Sequence, residues 1–261
     1  MPQSTPEHEP APEHEPISEH IRVRRDGAVT YLGFDRPAKK NAIDEAMYEA
    51  LVAAFGAYAD DEDALALVMH GTDDVYTAGN DLGSFLAAQH AEGEPASLRL
   101  MRAVEACPKP VIAAVEGWAV GISATLLLHA DLVFMGRSAR LKMPFTELGI
   151  VPEAGASRLV TRRYGRQAAG ELLLMSAPMT AQRAYDIGLA NAVVDDGGAL
   201  AAASEAAARL SAMSPTSVRM TKALMREPDD LIGHMEEEMR QVGERTRSEE
   251  MRARVAKLLG G

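Results

Sequence analysis

The chain has 261 residues, 47% hydrophobic and 25% charged, enough for one large core or a core with a small appendage. A formal net charge of −11 argues against non-specific binding to nucleic acid or to an acidic membrane surface, so an anionic ligand needs a local basic cluster. The lone Cys107 permits no intramolecular disulfide, and no run of about 18 uninterrupted apolar residues suggests a membrane span.

In chain order, residues 1–19 carry PEHEP twice and almost no apolar side chains, which predicts a flexible Pro/Glu/His-rich tail. The start lacks a basic segment followed by an apolar stretch, and Lys257-Leu258-Leu259-Gly260-Gly261 is not a peroxisomal address. The expected location is therefore cytoplasmic. Order is expected from His20, with a hairpin folding Ile21–Arg24 onto Ala28–Phe34 around Arg25-Asp26-Gly27. Asp44 is positioned to cap a helix through Met47, Leu51, Val52 and Phe55. Ala64–His70, Pro110–Val115 and Leu132–Met135 are apolar runs with the length of short buried strands. Cys107, before Pro108-Lys109-Pro110, suits a structural thiol. After Gly155 the pattern is helical almost to the end, and the mixed charges of Glu236–Lys257 predict an exposed helix or one packed on a neighbouring subunit. Strands with crossovers first and helices last imply an α/β core with a helical C-terminal region.

Two glycine turns follow buried strands. In Thr77-Ala78-Gly79-Asn80-Asp81-Leu82, Asp81 is placed to cap a helix starting at Leu82. Gly117-Trp118-Ala119-Val120-Gly121-Ile122-Ser123 leads into the apolar run Ala124–His129. Helix starts present free N–H groups, and two such turns can aim one N–H each at a single oxygen. On spacing alone, two ordinary strand-to-helix connections with no chemistry are the favoured reading. Glu153, in Leu148-Gly149-Ile150-Val151-Pro152-Glu153-Ala154-Gly155-Ala156, also has two compatible readings. It is an acid favoured by a helix dipole, or a catalytic base.

Taken in order, these segments resemble the crotonase superfamily of enoyl-CoA hydratases and isomerases. The resemblance includes Arg36-Pro37-Ala38-Lys39-Lys40-Asn41-Ala42, both turns, PEAGASRL, Thr180–Leu189, Ser214-Pro215 and Lys222, and so covers nearly everything after the tail. It implies a crotonase-like α/β spiral of ββα repeats over residues 20–195 and a helical oligomerisation region over 196–261. It also implies an acyl-CoA thioester substrate, a homotrimer or hexamer, and no metal or redox cofactor, coenzyme A being part of the substrate. The backbone N–H groups of Asn80 and Ile122 would form the oxyanion hole. Lys39, Lys40, Ala78, Gly79, Asp81 and Gly121 would contact coenzyme A. Many relatives have a basic residue where this chain has Gly83, so one phosphate contact would be supplied elsewhere.

Hydratases of this kind use two glutamates, whose positions correspond here to Thr125 and Phe145. Neither residue can act as a general base near neutral pH. Glu153 stands where hydratases usually carry glycine and where one branch of enoyl-CoA delta isomerases carries its catalytic glutamate. The resemblance therefore favours a 3-enoyl-CoA to 2-enoyl-CoA isomerase with Glu153 as acid/base and Glu147 as possible support. A hydratase with a rearranged site, another crotonase reaction, and a non-catalytic CoA-ester-binding protein remain as alternatives. Trp118 suits either a wall of the acyl pocket or core, and His129 a satisfied core position.

Overall fold

The computed structural model describes residues 15, 16, 18–72, 74–88, 93–226 and 230–258. β1 (Glu15–Pro16) pairs antiparallel with Arg22–Val23 of β2 (Ile21–Asp26), and β2 pairs antiparallel with β3 (Val29–Phe34) in the expected hairpin. Sheet pairing thus begins inside the segment assigned to the tail, and Ser18 Oγ accepts the N–H groups of His20 and Ile21. Residues 1–14 and 17, where the rest of that expectation falls, lie outside the described residues. Asp44 caps α1 (Glu45–Asp60), its Oδ1 accepting the Met47 N–H at 3.0 Å. The helix buries Met47, Leu51, Ala54 and Phe55 along one face, as that spacing requires.

Next come β4 (Ala66–His70), β5 (Val75–Thr77), α2 (Leu82–Ala88), α3 (Ala96–Ala106), β6 (Val111–Val115), β7 (Trp118–Val120) and α4 (Ile122–Leu126). They are followed by β8 (Leu132–Gly136), β9 (Arg140–Lys142), α5 (Phe145–Leu148) and α6 (Ala156–Ala169). β10 (Met179–Thr180), α7 (Ala181–Asp186), β11 (Ala192–Val194) and α8 (Ala199–Ser211) lead to α9 (Pro215–Met225), α10 (Leu231–Thr246) and α11 (Glu249–Leu258). The described strands form one sheet in the order β1-β2-β3-β4-β6-β8-β11, parallel from β3 onward, and a second in the order β10-β9-β7-β5.

The central strands are apolar throughout because both faces are covered. Leu67, Met69, Val111, Ala113 and Val115 face the main core with α1 and α3. Their alternating neighbours Ala66, Val68, Ile112 and Ala114 pack against Ala199, Ala203 and Ala207 of α8. Successive strand side chains point to opposite faces, so one apolar run serves two layers.

The C-terminal segment departs from the expected exposed helix. It forms α10 and α11, and α10 buries Leu231, Met235, Glu238, Met239 and Val242. This stripe packs on α3, while α11 lies against α5 with Met251 and Val255 buried. The methionines and valine recur at helical spacing within a charged background, which concealed the stripe.

Candidate active site

The two glycine turns lie side by side. The Ser123 hydroxyl on α4 donates to the Thr77 carbonyl at 3.0 Å, tying the second turn to the first. Gly79 has φ 85°, and a Cβ there would run into the Val120 carbonyl, so glycine is what lets the two turns touch. In the first turn the Ala78 N–H donates to Lys40 O at 2.9 Å, that of Gly79 to Thr77 Oγ1 at 2.9 Å, and that of Asp81 to Ile43 O at 2.8 Å. The Asn80 N–H between them has no acceptor among the described residues. In the second turn the Val120 N–H donates to Ser123 Oγ at 2.7 Å and that of Gly121 to Lys142 O at 2.9 Å. The Ile122 N–H, at the first position of α4, likewise has no acceptor among the described residues.

Beneath these turns opens a cavity of about 630 Å³. Lys39, Ala78, Gly79, Asn80, Asp81 and Gly121 line it. Lys40 does not; it is exposed with φ 50°, and its carbonyl is taken by Ala78. Its expected contact with coenzyme A therefore finds no support in the cavity lining. Asp81 is a structural group as well: its carboxylate accepts the Gly83 and Ser84 N–H groups and pairs with Arg36 at 3.0 Å. Those backbone bonds, followed by Arg36, hold its carboxyl below the usual range against the opposing effect of burial. Lys142, beside the second turn, also lines the cavity, a second cation that was not singled out from sequence. Leu82, Phe85, Phe145, Leu148 and Ile150 give the cavity an apolar side.

Glu153 also lines the cavity and is only 3% exposed. Its Oε1 is buried with no hydrogen-bond partner. Burial, and secondarily the charge of Glu238, push its carboxyl up to about 8. Ala154 and Gly155 follow with φ 57° and 71°, a left-handed turn that ends where α6 begins. Glu147 is at the rim, half-exposed, with Oε2 2.5 Å from Lys142 Nζ; it engages Lys142, not Glu153. At the two other positions of interest, Thr125 Oγ1 donates to its own helix at Ile122 O, 3.0 Å away, and Phe145 is buried.

Three groups lie behind the cavity, and of these only His129 was singled out from sequence. Tyr48 of α1 donates its hydroxyl to Asn80 Oδ1. It is buried close enough to Glu153 that burial and then the Glu153 charge raise its phenol well above its usual value. His129, judged a satisfied core residue, has Nε2 2.7 Å from Ala154 O and Nδ1 2.9 Å from Glu105 Oε2. A carbonyl only accepts, so Nε2–H is the donor and His129 secures the turn next to Glu153. Burial alone would raise Glu105, but the His129 contact holds it lower. The third is Glu238, inside the run Glu236-Glu237-Glu238, where no local signal distinguishes one acid from the next. Trp118, by contrast, is 43% exposed and outside the cavity lining.

Residues 24–255 match the family model described as enoyl-CoA hydratase/isomerase. Enoyl-CoA delta isomerase 2 of Rattus norvegicus is 35% identical over 88% of this chain and 61% of its own length, so the chain spans less than two thirds of that relative. The 2,3-dehydroadipyl-CoA hydratase of Escherichia coli K12 is 32% identical over 80% of this chain and 82% of its own length. Among solved structures, Pseudomonas aeruginosa OdaA superimposes with a TM-score of 0.90 at 39% identity, covering 94% of this chain and all of that one.

Proposed function

The chain belongs to the enoyl-CoA hydratase/isomerase family, and from that premise we propose that it shifts the double bond of a 3-enoyl-CoA to the conjugated 2-position. The observation that carries this reading is the lone buried carboxylate on the cavity, Glu153, with threonine and phenylalanine at the two positions where hydratases carry acids. Hydration needs a water activated at the β-carbon and a proton delivered to the α-carbon. Isomerisation needs one proton removed and returned. One carboxylate is enough.

In this reading the thioester oxygen accepts from the Asn80 and Ile122 N–H groups, neither of which has an acceptor among the described residues. Glu153 takes a proton from the α-carbon, electrons pass into a dienolate held by those donors, and the conjugate acid returns the proton to the γ-carbon. The double bond then lies between the α- and β-carbons. A raised carboxyl is a stronger base when ionised and a competent acid after it has taken the proton. Lys39 supplies positive charge at the cavity of an otherwise acidic chain for the phosphates of coenzyme A, while Lys142 is already paired with Glu147.

The same reading includes self-association. α9 buries no residue, and Met220 and Leu224, four apart on one helical face, are 63% and 85% exposed. An apolar face of this kind fits a homotrimer.

Incubation with trans-3-hexenoyl-CoA, trans-2-hexenoyl-CoA and hexanoyl-CoA, with product analysis, tests the reaction. The expected product is 2-enoyl-CoA from the first, with little hydration of the second. Brisk hydration without isomerisation overturns the assignment. Glu153→Gln should abolish isomerisation, by a factor on the order of 1,000 or more, while CoA-ester binding survives.

A further inference from the structure

Glu238 reaches from α10 onto the turn that carries Glu153. It is 6% exposed. Its Oε2 accepts the Gly155 N–H at 2.6 Å, and its Oε1 accepts the Ser157 hydroxyl at 2.5 Å and the Ser157 N–H at 3.2 Å. His234, one turn earlier on the same helix, lies 3.1 Å from Oε1. The two backbone donors belong to the N-terminus of α6 and have no partners within that helix. Gly155 also gives α10 its close approach, since a Cβ there would stand 2.8 Å from Leu231 Cδ1.

Two carboxyl groups therefore flank one turn in opposite surroundings. Both oxygens of Glu238 accept hydrogen bonds, whereas Oε1 of Glu153 accepts none. Burial raises the Glu238 carboxyl as well, opposed by its Ser157, His234 and Gly155 contacts. Neighbouring acids do not both ionise readily, and the charge is favoured on the one with donors aimed at it. We propose that Glu238 is a positioning residue for Glu153: it clamps the turn that aims the Glu153 side chain, and its charge directs the proton of the pair to Glu153. This rests on the reading of Glu153 as the acid/base. It makes the last helical region part of the active site, because the turn has left-handed backbone at Ala154 and Gly155 and depends on outside partners. His129 holds its carbonyl side and Glu238 its N–H side.

The other titratable groups facing the pair are Tyr48 from α1, His129 with Glu105 behind Ala154, and His234 on α10. The Lys142–Glu147 pair is farther out, at the cavity rim. Glu238→Gln keeps the side-chain size and removes the charge; of these groups only His234, 3.1 Å from Oε1, loses a charged partner. In the unaltered protein, kcat/KM for trans-3-hexenoyl-CoA should rise with pH through about 8, as Glu153 ionises. In Glu238→Gln the ascending limb should move to lower pH by roughly one unit, the effect of removing a neighbouring like charge. Its high-pH plateau should also fall roughly tenfold or more, through a weaker base and a looser turn. A folded variant losing activity equally at every pH, with the limb unmoved, overturns the charge role and leaves only a structural contact. A Glu153→Gln control separates the two ideas, because full activity there sinks the acid/base assignment itself.

A second measurement decides the matter if Glu238→Gln does not fold. Coupling between two sites is reciprocal, so Glu238 must sense the ionisation of Glu153 as Glu153 senses its charge. Carbon-13 titration of labelled glutamates should show Glu238 ionising at lower pH than Glu153, with a small second step at the Glu153 midpoint that vanishes in Glu153→Gln. Glu238 ionising after Glu153, or showing no second step, overturns the proposal.

Discussion

Glu153 carries a cost that pH exposes. Its folded-state value of about 8 is above the 4.5 of an unperturbed carboxyl, owing first to burial and then to Glu238. Between those values the folded state holds a proton that the unfolded chain has released, so stability falls as pH rises from about 4.5 to 8 and levels off above. Glu153→Gln should therefore melt higher than the unaltered protein at pH 9 and close to it at pH 5, as measured by thermal unfolding. A smaller difference at pH 9 than at pH 5 contradicts the burial of an ionisable acid here. His129 is a second residue-scale case. Replacing it with leucine leaves the Ala154 carbonyl and the Glu105 carboxylate without their buried donor. Chemical denaturation should show a loss of about 1–3 kcal/mol or more. Isomerisation should fall as well, since the freed carbonyl is in the residue after Glu153.

At the scale of elements, the glycine turns were legible because their sequence constrains the backbone directly. Asp81 caps α2 from local chemistry, and Gly79 takes a positive φ that glycine adopts freely, although the Val120 carbonyl it approaches is brought there by the fold. Gly121 has φ 59° with open space where a Cβ would go. Gly121→Val is therefore strained by its backbone, not by a clash, and should reorient the Ile122 N–H while the fold persists. The expected fall in kcat is on the order of 100-fold, with circular dichroism unchanged. A folded Gly121→Val protein with full turnover contradicts the assignment of that donor. The C-terminal helices were less legible. Met235, Met239 and Val242 bury one stripe, but the surrounding charges reduce the contrast on which a periodicity argument depends.

Across the whole molecule, α10 and α11 are wrapped over the α5–α6 segment. Arg245 donates to the Gly149 carbonyl at 2.9 Å, and Glu238 caps the start of α6. Truncation after residue 230 should therefore remove isomerisation and raise dye binding to exposed apolar surface, even though it deletes none of the residues lining the cavity. Deletion of residues 1–14 should leave turnover nearly unchanged, since that segment offers almost no apolar side chains to a core. The cut should stop there, because Glu15–Pro16 pair with β2 and Ser18 caps the next turn. Leu224→Glu on α9 should shift the protein towards monomer in light scattering at micromolar concentration. An unchanged mass argues against that face as the association surface.

The sequence alone determined what local rules govern: the β2–β3 hairpin, the Asp44 and Asp81 caps, the buried strands, and glycine at the two turns. It also ordered these segments as in the crotonases and marked position 153 as acidic where Thr125 and Phe145 are not. What only the tertiary structure decided is which distant groups meet. Tyr48 from α1, His129 from the segment after α4 and Glu238 from α10 converge behind a single turn, and no periodicity or spacing relates them. Glu238 resembles its neighbours Glu236 and Glu237 in sequence and differs from them in having burial and donors supplied by another helix. The proton affinity of a carboxyl depends on those surroundings, which is why the acidic residue was visible in the chain and its chemistry was not.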